Sequence, residues 1–80
     1  MYVKSQNRRL IANITEFSIE GIDEDQIWGN DRCLGVYRDT DRAKDVFDMI
    51  QDALEDGMTI QEDNDGQLIT RELVFEMPVI

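Results

Sequence analysis

The segment Gln61 to Glu72, QEDNDGQLITRE, comes nearest to a ligand-holding motif in this chain. A calcium loop of the EF-hand type places oxygen ligands at positions 1, 3 and 5, glycine at 6, an apolar residue at 8 and a bidentate glutamate at 12. Asp63, Asp65, Gly66, Leu68 and Glu72 occupy the third, fifth, sixth, eighth and twelfth places of that frame. Its first place is Gln61, which brings no carboxylate. Gly57 ends the preceding helix too early, and the residues after the loop alternate like a strand. A tight acidic turn between two strands accounts for the same residues, so no metal is expected here.

Other chemistries find less support. General acid–base catalysis needs paired titratable groups held in a pocket with shifted pKa values. The carboxylates are numerous, but most of them fall on one solvated helix face. The chain has no histidine and a single cysteine, Cys33, which excludes an internal disulfide and a zinc site of the usual Cys/His kind. Cys33 follows the pattern of a small packed strand residue rather than a nucleophile. No nucleophile elbow and no phosphate-cradling glycine loop occurs. The expectation is a non-enzymatic protein without catalytic residues or cofactor.

What remains are candidate contacts. Asp45, Asp48, Asp52, Glu55 and Asp56, together with Asp41, fall within an arc of roughly 100° when residues advance about 100° each along a helix. They form an acidic outer face that can either keep the protein soluble or dock a basic partner. Asp52, Glu55 and Asp56 oppose the helix macrodipole, and Asp48 with Asp52 is a like-charged i, i+4 pair. Trp28 belongs either in the core or, at an exposed edge, at an interface. A site for a small nucleotide-like ligand would need Arg8, Arg9, Arg32 or Arg38 grouped in a pocket.

Eighteen acidic residues against eight basic ones give the 80-residue chain a formal charge of −10. Such a surface repels nucleic-acid phosphates, so direct nucleic-acid binding is not expected. The opening residues contain no long apolar run of the secretory type, and no stretch approaches the length of a membrane span. A cytoplasmic protein with no membrane partner follows as the expectation. Eighty residues make one small domain, 1–80, near the size at which a single core is marginal. Without disulfide or metal, self-association is the remaining stabilising device, and a homodimer or higher assembly is expected.

The elements that must position these residues centre on Asp39 to Gly57. Ala43, Val46, Phe47, Ile50 and Leu54 recur at the spacing of one helical face. Asp39 or Thr40 can cap the first turn, and Gly57 the last. Short strands are predicted over Met1–Ser5, around Leu10–Ile19 with a parity switch near Thr15 that suggests a β-bulge, at Gln26–Trp28 and at Arg32–Tyr37. Gly29-Asn30-Asp31 is a good hairpin turn. Met58–Gln61 and Leu68–Met77 complete the strands, and Pro78 places the end of the last one at an edge. A lone amphipathic helix needs a surface to cover it. The predicted fold is therefore α+β: a small antiparallel sheet, a meander, with one helix on one face and a strand at the end.

Three segments, MYVKSQNRRLIAN, LGVYRDTDRAKDVFDMIQDAL and the closing FEMP, resemble an uncharacterised family of short proteins of phages, prophages and mobile elements of Gram-positive bacteria. Its members begin with a strand bearing a Ser-Gln or Asn-Gln pair, carry a Leu-Gly-x-Tyr strand before an Arg-Ala-rich capped helix, and finish with Met-Pro. The resemblance leaves out Ile22–Asp31 and Met58–Thr70 and brings no assigned catalytic or binding residue. It implies a phage-type context in a bacterial host cell, where small acidic proteins often act by binding a host protein. With the self-association expected from size, the first reading is a non-enzymatic protein-interaction module. Two alternatives stand beside it: an acidic nucleic-acid mimic that inhibits a basic host enzyme, and a small-ligand sponge at an oligomer interface.

Overall fold

The computed structural model describes the side chains of residues 1–56 and 74–80, and the backbone also at 58–62 and 68–72. In chain order the elements are β1 (Tyr2–Lys4), β2 (Ile11–Asn13), β3 (Phe17–Glu20), β4 (Gln26–Gly29), β5 (Arg32–Val36), α1 (Thr40–Glu55), β6 (Met58–Glu62), β7 (Leu68–Glu72) and β8 (Val74–Glu76). The fold is α+β. Strands β3-β4-β5 form an antiparallel meander, and β2-β1-β8 a second small sheet in which β1 runs antiparallel to β2 and parallel to β8. Among the described residues, strands β6 and β7 pair with each other as a separate two-stranded sheet. The expected final strand Leu68–Met77 is thus two strands in two sheets. The second part leaves β7 because pairing with β1 carries Phe75 and the fully buried Met77 onto the core beside Val3.

The β4–β5 hairpin turns where the sequence demands it. Asn30 and Asp31 have φ values of 49° and 64°, the left-handed pair that a two-residue type I′ turn requires. Asn30 also locks the chain around it. Its Oδ1 accepts from the backbone N–H of Thr15 and Glu16, and its Nδ2 donates to the carbonyl of Asn13. The parity switch near Thr15 is therefore no bulge. The chain there passes from one sheet to the other, with Ile14 buried in the joint. Gly29 faces that joint, and a Cβ on it would lie 2.5 Å from Ile14 Cγ2. The bulge itself sits in β5: Ile27 pairs with Gly35 and Trp28 with Cys33, leaving Leu34 as the extra residue. Leu34 and Gly35 consequently both point inward while Cys33 and Val36 point out, as one inserted residue exchanges the faces of those beyond it.

Helix α1 begins at Asp39, whose Oδ1 accepts the Arg42 N–H at 2.8 Å. Thr40, the other candidate cap, donates its hydroxyl to the Asp23 carbonyl instead. Gly57 lies outside the described residues. The helix packs on β3 and β4 through Ala43, Val46 and Ile50, with Phe47 partly buried beside them. Leu54 departs from the expected inner face and is 51 % exposed. It borders a shallow, open groove with Phe17, at the start of β3, and Phe47, and is not covered there. Val3, Ile14, Ile27, Leu34, Tyr37 and Met77 complete one core cluster that joins both three-stranded sheets to the helix.

Candidate functional site

The acidic helix face is present as expected. Asp45, Asp48, Asp52 and Glu55 are exposed along α1, and Asp56 is exposed at its C-cap. The last turn carries no basic residue. The ion pairs formed among the described residues, Lys4–Glu76 at 3.7 Å and Arg38–Asp39 at 3.6 Å, leave these five carboxylates out. Like charges are spread along the helix rather than converged, and among the described residues no group of three or more acidic, histidine or cysteine side chains is placed to hold a metal ion. What such a face can do is attract a basic surface over several ångströms.

Trp28 takes neither of its two expected places. It stands on the outer face of the central meander strand, between Ser18 and Cys33 in register, and is half-buried there. Its Nε1 donates to Gln26 Oε1 at 2.8 Å, so the polar end of the indole is satisfied within the chain. The ring walls a cleft of about 250 Å³ with Phe17 and Glu20. Cys33, expected to be packed, is exposed on the same face, because the bulge at Leu34 keeps its side chain outward. Of the calcium-like segment, the flanks form the antiparallel pair β6 and β7, whereas Asp63, Asp65 and Gly66 lie outside the described residues.

Sequence reasoning gave no role to the group that the fold gathers most tightly. The Gln6 carboxamide accepts from Val36 N at 2.8 Å and donates to the Val36 carbonyl at 2.9 Å, imitating a strand neighbour on the free edge of β5. Its Nε2 also donates to the Val79 carbonyl at 3.1 Å. The Tyr37 hydroxyl donates to the Pro78 carbonyl at 2.9 Å. Arg42 donates from Nε and Nη2 to the Ile80 carbonyl at 3.2 and 2.9 Å. Residues 78–80 are thereby fastened to β5 and to the first turn of α1. The Ser-Gln, Leu-Gly-x-Tyr and Met-Pro pieces, at residues 5–6, 34–37 and 77–78, meet at this one place.

Burial of Tyr37 pushes its hydroxyl up to a pKa of about 12, against the opposing pull of Arg42 and then Arg8. A buried phenol cannot shed its proton cheaply, so it remains a donor to Pro78 at neutral pH. Beside it opens a notch of about 440 Å³ lined by Gln6, Val36, Arg38, Arg42, Asp45 and Val79, among others. Of the arginines considered as ligand partners, Arg38 reaches the notch and Arg8 acts on its tyrosine wall. Arg32 pairs with Gly29 at the hairpin tip, and Arg9 lies exposed in the turn after β1. Among the described residues, no helix is long and apolar enough to cross a membrane. Family models, curated proteins and solved structures yield no match to this chain, so its function must be argued from its own geometry.

Proposed function

We propose that this chain is a non-enzymatic protein-interaction module of a phage or mobile element, acting in the cytoplasm of its bacterial host and associating with a second copy of itself. One observation carries this reading: the β2-β1-β8 sheet buries apolar side chains on its inner face and also exposes three on its outer one. Val3 on the inner face is fully buried, while Tyr2, Ile11 and Val74 on the outer face are 42, 58 and 50 % exposed. Register places Tyr2 between Asn13 and Val74, and Lys4 between Ile11 and Glu76. The two charges on this face cancel, since Lys4 and Glu76 pair. A chain of net charge −10 meets its own copy with least repulsion where the local charge is balanced, and a two-fold axis makes such a patch self-complementary. A three-stranded face of this length offers much less than the ~800 Å² per partner of a standard interface, so the association is weak.

Sedimentation of the chain at rising concentration tests the proposal. A reversible dimer is expected, and Ile11→Glu with Val74→Glu should return it to a monomer. Both side chains are half-exposed, so melting should be little affected. A wild-type chain that stays monomeric at about millimolar concentration, where an interface worth roughly 4 kcal/mol would be half occupied, would end this reading.

A second reading has its own support. The five carboxylates of α1 and its C-cap, without an ion pair among the described residues, favour capture of a basic host protein, as an acidic mimic that inhibits a nucleic-acid-binding or defence enzyme. An affinity capture from host lysate that retains one such enzyme, and releases it at high salt, supports this alternative.

A further inference from the structure

We propose that the notch between the end of β5, the first turn of α1 and residues 78–80 binds a small molecule bearing one oxyanion group on a short apolar body. Arg38 and Arg42 face the anion. The cavity, about 440 Å³, falls within the ~300–1,000 Å³ of ordinary ligand pockets. Its walls combine two guanidinium groups with the aliphatic side chains of Val36 and Val79, both about half exposed.

Arg42 is already oriented. Two of its N–H groups hold the Ile80 carbonyl, and its remaining donors have no hydrogen-bond partner among the described residues. A guanidinium carries five N–H donors in a planar fork, so a second oxygen acceptor can be taken without releasing the first. The acceptor it holds now belongs to an aliphatic residue, which is the chemistry proposed for the ligand. Arg38 is exposed by contrast. Its side chain is 80 % exposed, and its Nε lies 3.6 Å from Asp39 Oδ2, too far for a hydrogen bond. It can fold over an entering anion at little cost. Tyr37 and Gln6 are committed to backbone groups and serve as wall rather than as ligand contacts.

Charge narrows the ligand further. Asp45 lines the same notch and Asp39 pairs with Arg38, so two carboxylates balance the two arginines and the notch holds an anion by its N–H donors rather than by an excess of charge. The whole chain at −10 repels a polyanion, which argues against nucleic acid, but opposes a singly charged molecule only weakly once salt screens it. Carboxylate and phosphate share the oxyanion chemistry. The apolar walls distinguish a ligand with a hydrocarbon body from free phosphate.

Titration of the intact chain with hexanoate, inorganic phosphate and hexanol, followed by amide chemical shifts at low salt, tests the proposal. Hexanoate should give saturable shifts confined to residues near Val36–Arg42 and Val79–Ile80. Phosphate should bind more weakly and hexanol more weakly still. Arg38→Gln should weaken hexanoate by about tenfold, the worth of one charge-assisted hydrogen bond, with an unchanged melting temperature because Arg38 is almost fully exposed. Hexanol binding as well as hexanoate would overturn the anion, and phosphate binding as well as hexanoate would overturn the apolar body. Hexanoate affinity unaffected by Arg38→Gln, or no saturable shift, would overturn the site.

Discussion

Tyr37 stays neutral because its hydroxyl is buried against the Pro78 carbonyl, and this has a consequence for stability against pH. Its folded pKa of about 12 exceeds the unfolded value of 10. Between these values the folded chain holds a proton that the unfolded chain has lost, so stability falls as pH rises through that window. Two units correspond to at most about 3 kcal/mol. Tyr37→Phe should cost about 1 kcal/mol at pH 7, the net worth of one hydrogen bond, and should remove this alkaline loss. Urea unfolding of both proteins at pH 7, 10 and 12 separates the two effects. Equal slopes between pH 10 and 12 would show that Tyr37 is not the group responsible. Nothing of this was legible beforehand. Tyr37 was readable as an aromatic near the end of a strand, but its acceptor lies 41 residues away. The Gln6 partners are 30 and 73 residues distant. Hydrogen bonds that span a chain leave no periodic trace in it.

Local pattern is informative at the scale of elements where one face is continuous, and misleads where the chain changes layer. The i, i+3, i+4 spacing located α1 and three of its buried residues, because a 16-residue helix repeats its inner face several times. It overstated Leu54, since the spacing says which way a side chain points but not whether it is covered there. Ile50 is 1 % exposed and Leu54 51 %. Ile50→Ala should therefore cost about 2–5 kcal/mol, as removal of fully buried methyl groups does, whereas Leu54→Ala should cost less than about 1 kcal/mol. Half-buried Phe47 should fall between them. Chemical denaturation of the three variants would order them, and a larger loss for Leu54 than for Ile50 would mean that the helix is rotated about its axis. The strands show the converse problem. A switch of parity at Thr15 has two physical causes, a bulge or a crossing between sheets, and the sequence around it is the same for both. The true bulge at Leu34 is hidden because Leu34 and Gly35, as neighbours, look like ordinary strand alternation of a large and a small residue.

For the molecule as a whole, charge was the most legible property and topology the least. The parallel pairing of β1 with β8 joins segments 72 residues apart, Tyr2 with Val74, and no local signal announces such a partner. The acidic side of α1, in contrast, follows directly from residue spacing. Its C-terminal half holds Asp48, Asp52, Glu55 and Asp56 without a basic residue in the last turn, so side chains and macrodipole place negative charge at the same end. Each such charge costs the helix a few tenths of a kcal/mol. Replacing Asp48, Asp52 and Glu55 together by Asn, Asn and Gln should leave the fold intact or stabilise it by up to about 1 kcal/mol. If the face docks a basic host protein, the same change should abolish its capture. Capture by the wild-type chain should also weaken between 0.1 and 1 M salt, as the Debye length shrinks from about 10 to about 3 Å. A triple variant that loses stability together with partner would make these residues structural. Undiminished capture by a stable triple variant would leave the face to solubility, and the contacts with other proteins to the outer face of the β2-β1-β8 sheet.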